Sequence, residues 1–305
     1  MSDKLQKVKL KGNESFNFRE GWLRKGMRCV EESPTLFSQD DSMEQLGVGS
    51  KMVKSIRYWL QATSLTEEYR INQGRGRAQM LTKQFGKVIK EYDPYFDDIF
   101  TLFLLHYHIV SNDALCMVWN IFFNEFDGTD FTKDNLISIC KDLLVRKMDE
   151  GCGFSEKSFE DDCDSVLKMY RPAVEKEDPE DSLACPLSAL GLLQYSSSKA
   201  DAYIKAMPSA DALDKLAVLY VIVRNLHEDK RSVSIDDLLT APNNIGRVFN
   251  LSRATINNYL DQLRVSGYLT INRTAGLDMV YVETNKKPRE IMEEYYSKYR
   301  IKEEI

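Results

Sequence analysis

No stretch of this 305-residue chain stays apolar for long. The longest such run, Ile99 to Val110, is twelve residues broken by His106 and His108, and a bilayer-spanning helix needs about twenty. The opening residues, Met1-Ser2-Asp3-Lys4-Leu5-Gln6-Lys7, hold no apolar signal core. No membrane partner is expected, and the expected location is cytoplasmic. Cysteine is scarce and scattered: Cys29, Cys116, Cys140, Cys152, Cys163 and Cys185 form no Cys-x-x-Cys pair. That pattern excludes a zinc ribbon and fits free thiols in a reducing compartment better than a disulfide framework. With 15 Gly and 8 Pro, the chain is neither collagen-like nor low-complexity.

Hydrophobic residues make up 43% of the chain, enough to bury real cores. The length suggests about two domains and allows three small ones. The net charge of -6 would by itself argue against a nucleic-acid binder. It is a cancellation of unlike regions, however. Residues 1–90 carry 17 Lys+Arg against 10 Asp+Glu, residues 91–190 carry 8 against 22, and residues 191–305 carry 16 against 15. A basic head, an acidic middle and a balanced tail suggest three regions with different surfaces. The expected division is an N-terminal module over 1–80, an acidic, mostly helical middle over 81–195, and a C-terminal module with a terminal helix over 196–305.

In the head, Asp40 to Leu46 reads as a short helix, Gly47 to Ser50 as a turn, and Lys51 to about Ser64 as a second helix. Val48, Val53, Ile56 and Leu60 follow Gly47 at the spacing a helix-turn-helix unit needs, because the second helix must pack on the first at a fixed angle while its outer face stays free. Leu251, Ile256, Tyr259 and Leu263 repeat that spacing after Asn250, a turn residue that tolerates positive φ. Tyr69 to Arg77 is a basic, glycine-punctuated loop able to close a small hairpin. Gly267 to Ile271 and Met279 to Val282 read as strands joined through Ala275-Gly276. The pattern predicts a mainly α protein in which two winged helix-turn-helix modules flank a central helical domain. Glu175 to Asp181 reads as a solvated loop, and the C-terminal helix carries Tyr295, Tyr296 and Tyr299.

The outer faces of the two second helices supply the candidate site. On the first, Ser50, Lys51, Lys54, Arg57 and Tyr58 lie off the apolar stripe, with Arg75 and Arg77 in the loop beyond. Lys and Arg neutralise phosphate, and Arg also reads guanine edges. On the second, Ser252, Arg253, Thr255, Asn257, Asn258 and Gln262 are polar, and Asn and Gln pair with adenine edges. Arg264 and Arg273 would hold phosphate. The expected partner is double-stranded DNA, with a protein partner at the acidic middle. Such modules also serve in protein–protein contact, so both readings stand at this point.

Catalytic chemistry finds little support. Gly47-Val48-Gly49-Ser50-Lys51 lacks the spacing of a phosphate loop. His106 and His108, two apart on a helix, point to opposite sides and cannot share a metal. Asp93, Asp97 and Asp98 are explained more simply as caps before the apolar run than as a nuclease metal site. Cys152 and Cys163 lack zinc spacing. No enzyme activity, metal or cofactor is expected.

An ordered series of motifs carries a resemblance. It runs Phe18-x-x-x-Trp22-Leu23-x-Lys25-Gly26, then Leu46-Gly47-Val48-Gly49-x-x-Met52-Val53-x-Ser55-Ile56-Arg57-Tyr58-Trp59-Leu60, then Asp93-Pro94-Tyr95-Phe96-x-Asp98. Leu102-x-Leu104-Leu105-His106-Tyr107, Phe122-Phe123-Asn124-Glu125 and Cys185-Pro186-Leu187-x-x-Leu190-Gly191-Leu192 complete it. The series resembles the bacterial domain-of-unknown-function family four thousand and seven, from about Phe18 to the C-terminal module. Phe103 and Tyr107 stand where that family often has Trp. The resemblance implies an accessory or specificity protein near DNA sulfur-modification (phosphorothioation) or phage-defence genes. It supplies no catalytic residue. The alternative is an adaptor that docks a sulfur-transfer or DNA-modifying enzyme without touching DNA.

Overall fold

The computed structural model of the chain describes residues 4–172, 185–226, 230–274 and 277–303. The chain divides into two compact units, Met1–Ala206 and Met207–Ile305. The expected loop over 175–181 and the Ala275-Gly276 connection lie outside the described residues, as does the side chain of Tyr299.

Unit 1 opens with an extended segment and then α1 (Trp22–Glu32), α2 (Ser42–Leu46) and α3 (Ser50–Ala62). A hairpin of β1 (Thr66–Ile71) and β2 (Gly76–Leu81) follows, then α4 (Gly86–Tyr92), α5 (Ile99–Val110) and α6 (Met117–Asn124). β3 (Phe131–Thr132), α7 (Lys133–Lys147), α8 (Glu156–Tyr170), β4 (Leu193–Tyr195) and β5 (Ala202–Lys205) complete it. Gly47 ends α2 at φ 58°, the left-handed conformation that turns the chain into α3. Gly26 lets α1 lie against α3. A Cβ there would stand 2.8 Å from Leu60 Cδ1 and 2.9 Å from Ile56 Cγ2.

The core of unit 1 is aromatic and sits on α5 and α6, buried nearly all round. Trp59 of α3 meets Trp119 of α6 edge-on at 5.5 Å and Phe18 at 5.4 Å, arrangements that ring quadrupoles favour. The extended N-terminal segment is pinned along α8. The Lys11 amide donates to Asp162 at 2.9 Å, Lys11 Nζ pairs with Asp161 at 2.6 Å, and Asn13 Nδ2 donates to Ser165 Oγ at 3.2 Å. The basic head and the acidic helices therefore share one unit. Lys205 of β5 donates to the Phe122 and Phe126 carbonyls at 2.5 and 2.6 Å. It thereby neutralises the C-terminal end of α6, where carbonyls are left without helical partners.

Unit 2 holds α9 (Lys215–Asn225), β6 (Ser232–Ser234), α10 (Ile235–Thr240), α11 (Ile245–Val248), α12 (Arg253–Val265), β7 (Leu269–Thr274), β8 (Leu277–Val282) and α13 (Pro288–Glu303). Asn250 takes φ 54° before α12. Ser252 caps that helix by accepting from the Thr255 amide at 3.2 Å. Ile291, Met292, Tyr295 and Tyr296 of α13 are buried.

The expected mainly α fold, with two winged helix-turn-helix modules flanking a helical domain, is not what the chain adopts. It is 51% helix and 13% strand, an α/β mix with three small antiparallel sheets among the described residues, ordered β1-β2, β3-β5-β4 and β6-β8-β7. The central region that read as helical supplies β3 and β4 of the β3-β5-β4 sheet, and β5 comes from the segment just beyond it. The strands of this sheet are two to four residues long; β3 pairs with β5 about seventy residues away, as in Phe131 opposite Tyr203, while β4 pairs with β5 close by, as in Tyr195 opposite Tyr203. An alternation over so few residues leaves no readable period.

Candidate nucleic-acid interface

α3 is gripped on two sides. Val53, Ile56 and Leu60 face the core as their spacing predicts, and Ser55, Tyr58 and Trp59 are buried as well. Ser55 Oγ and Trp59 Nε1 both donate to the Phe16 carbonyl, at 3.1 and 2.8 Å. What remains outside is a narrow ridge of Ser50, Lys51 and Lys54, continued by the half-buried Arg57 and Gln61. These positions recur every three to four residues, so one exposed helical edge carries them.

Tyr58 does not belong to that edge. It is buried, its hydroxyl donates to the Leu115 carbonyl at 2.8 Å, and Cys116 Sγ lies 3.2 Å away. Burial pushes the Tyr58 hydroxyl well above its ordinary pKa and the Cys116 thiol up to about 12. Tyr58 is a packing residue that anchors α3 to the loop before α6.

The hairpin brings further cations to the ridge. Arg57 Nε donates to Glu68 Oε2 at 3.0 Å and its Nη2 closes on the same oxygen, while Arg77 Nη1 lies 3.5 Å from Glu68 Oε1. One carboxylate thus fixes two guanidinium groups from α3 and β2. Lys54 Nζ is 3.9 Å from Glu14, a loose and exposed pair that contributes little. Lys51 and Arg75 are exposed and make no ion pair among the described residues. Lys9, from the N-terminal segment, reaches the same place.

The corresponding face of α12 is differently charged. Arg253 is paired with Asp236 and lies 4.0 Å from Asp278. Arg264 pairs with Asp261 at 3.2 Å, and Arg273 Nη2 donates to Asn257 Oδ1 at 3.1 Å. Thr255 Oγ1 shares a hydrogen bond with Ser252 Oγ at 2.9 Å. Asn258 and Gln262 are exposed. The arginines here already face carboxylates or an amide, which lowers the attraction this face offers to phosphate.

The comparisons with known proteins bear on the whole chain. A family model described as a protein of unknown function (DUF4007) matches residues 10–296. The chain belongs to the DUF4007 family. Two solved structures share its fold: magnesium ion-bound SspB, at 26% identity and TM-score 0.84 over 94% of this chain and 88% of that one, and SspB, at 25% identity and TM-score 0.84 over 96% and 89%. No curated protein gives a match.

The DUF4007 motif residues are mostly architectural. Asp93 is buried and accepts from the Asp97 and Asp98 amides at 3.0 and 3.2 Å and from Thr101 Oγ1 at 2.5 Å. Asp98 caps α5 through the Phe100 amide at 2.9 Å. His106 Nδ1 lies 2.8 Å from the Tyr170 hydroxyl, and His108 packs against Phe85 at 4.2 Å. Among the described residues no group of three or more His, Cys, Asp or Glu is placed to hold a metal ion. Nor, among the described residues, is any helix long and apolar enough to cross a membrane.

Two residues of the basic site escaped the sequence reading, Lys9 and Glu68. Lys9 had a signal: Lys7-Val8-Lys9-Leu10-Lys11 alternates charge with apolar side chains, the mark of an extended segment laid on a surface. Glu68 became visible only with the hairpin register, Glu68 opposite Gln79 and Arg70 opposite Arg77.

Proposed function

We propose that this chain is a DNA-binding accessory protein of a bacterial DNA-modification or phage-defence system. In this reading it holds duplex DNA through the basic ridge of α3 and the β1-β2 hairpin. The observation that carries the reading is the grouping of Lys54, Arg57 and Arg77 around one carboxylate, Glu68, with Lys51 exposed on the same α3 edge and Arg75 exposed in the hairpin turn. Family membership and the SspB likeness support the setting. The α12 face plays the lesser part, because Arg253 is occupied by Asp236 and Asp278.

Phosphate contacts release counterions, so affinity falls as salt rises, with a slope set by the number of contacts. Fluorescence anisotropy with a labelled duplex is expected to show salt-sensitive binding. Changing Lys51, Lys54 and Arg57 together to Ala is expected to weaken it and to reduce the log–log salt slope by roughly two to three. Wild-type affinity in that triple variant counts against the reading.

A docking role has its own supporting observation. Ile139 and Val145 of α7 are exposed, at 43% and 53%, beside the charged face of the helix. A stable complex with a neighbouring modification enzyme formed without DNA, together with no duplex binding, favours the adaptor instead.

A further inference from the structure

The extended N-terminal segment, α3 and the hairpin enclose a cleft of about 250 Å³ beside the ridge. Lys9, Lys54, Arg57 and Arg77 line it with a single carboxylate, Glu68. The Tyr58 ring forms its floor, and Gly12 lies against that ring. A Cβ at Gly12 would stand 2.5 Å from Tyr58 Cε2, so the segment carrying Lys9 approaches as closely as it does only with glycine there. Arg57 and Glu68 are recessed, with 28% and 20% of their side chains exposed, while Lys54 and Arg77 stand at the rim at 68% and 61%.

The charges do not balance. Glu68 is divided between Arg57 and Arg77. Lys54 has only a distant contact with Glu14, and Lys9 forms no salt bridge among the described residues. Burial, Arg57 and Arg77 together lower the Lys9 ammonium pKa below its ordinary value, against the pull of Glu68. A cation held beside other cations in a recess is relieved by an anion. Glu68 acts as the positioning residue that fixes the two guanidinium forks, and forks of this kind suit the oxygens of phosphate.

We infer that this cleft is a binding site for one phosphate group, held by Lys9, Arg57 and Arg77 with Lys54 at the rim. The volume is below that of a typical drug-sized pocket, which suits a single phosphoryl group and little of what it is attached to. The site deepens the DNA-binding reading if the phosphate belongs to a duplex, and stands apart from it if the phosphate is free.

The test is isothermal titration calorimetry of the full chain with inorganic phosphate at constant ionic strength. Saturable binding is expected. It should weaken by about tenfold or more in Lys9→Ala and in Arg77→Ala, the loss typical of a hydrogen bond to a charged group, and stay unchanged in Lys157→Ala, an exposed lysine of α8 outside both the cleft and the ridge. Lys9 is only partly withdrawn from solvent and is not a core residue, so its variant tests the site without disturbing the core. No saturable phosphate binding, or Lys9→Ala equal to wild type, overturns the site. The source is distinguished by competition. Phosphate that displaces a labelled duplex, with Lys9→Ala also weakening the duplex, assigns the cleft to backbone phosphate. Phosphate that binds without displacing the duplex supports a site for a free phosphate. Duplex binding with no phosphate binding overturns the cleft and leaves the DNA-binding reading intact.

Discussion

At the scale of single residues, two side chains show how burial changes the role that a polar group has on paper. Asp162 lies on α8 among carboxylates, yet it is buried and accepts the Lys11 amide. Burial pushes its carboxyl up to about 7, with the Lys11 hydrogen bond opposing. The folded state therefore holds this proton more tightly than the unfolded chain does. Stability falls as pH rises from about 4 toward 7, and the full penalty of the buried charge persists above that range. Asp162→Asn keeps an acceptor for Lys11 and removes the charge. Urea unfolding should show it more stable than wild type by on the order of 1–2 kcal/mol at pH 8, with the difference vanishing near pH 4. Equal pH dependence in the two proteins would contradict this. The position was legible in principle, because 162 falls on the stripe of Phe159, Cys163, Val166 and Tyr170, three to four residues apart. Tyr58 was not legible. The apolar period of α3 reveals one buried stripe, and the second neighbour, the loop at Leu115, is distant in sequence. Tyr58→Phe should cost about 1 kcal/mol in thermal or urea unfolding, by removing the hydrogen bond to the half-buried Leu115 carbonyl, and leave duplex affinity unchanged. A loss of DNA binding without a loss of stability would return Tyr58 to the interface.

At the scale of elements, the longer helices could be read from periodicity and caps, and the short strands could not. α3 and α12 begin after Gly49 and Ser252, and their inward faces carry the apolar residues their spacing announces. In the β3-β5-β4 sheet, β3 pairs with a segment that only the folded chain brings to it, and β4 and β5, though neighbours in sequence, are too short to show an alternation. The junction between the hairpin and α4 is another such case. Gly86 opens α4 where a Cβ would stand 2.0 Å from the Leu65 carbonyl oxygen, and backbone there has no room to give. Gly86→Ala is expected to destabilise unit 1 by about 3 kcal/mol, the upper range for overpacking. Differential scanning calorimetry reads this directly, and an unchanged melting temperature would show that the hairpin and α4 are less tightly docked than described.

At the scale of the whole molecule, the net charge of -6 conceals where phosphate would be held. The acidic middle shares a unit with the basic head, and many of its carboxylates are spent locally: Asp161 on Lys11, Asp164 on Lys133 and Lys168, Glu156 on Lys141, and Glu125 on Lys147. Around the cleft between α3 and the hairpin, by contrast, Lys9, Lys54, Arg57 and Arg77 outnumber the one lining carboxylate, Glu68. On α12 the carboxylates face the arginines instead. The basic head in the sequence already favoured α3 as the main phosphate contact, but it could not show that Asp236 and Asp278 meet Arg253. The account stands or falls on that difference between the two faces. The most direct measurement is the salt dependence of duplex affinity for wild type, for Lys51, Lys54 and Arg57 changed together to Ala, and for Arg253 and Arg273 changed together to Ala. The account predicts a weaker affinity and a shallower slope in the first variant, by roughly one unit per phosphate contact removed, and near wild-type behaviour in the second. Loss of affinity confined to the Arg253 and Arg273 variant would contradict it.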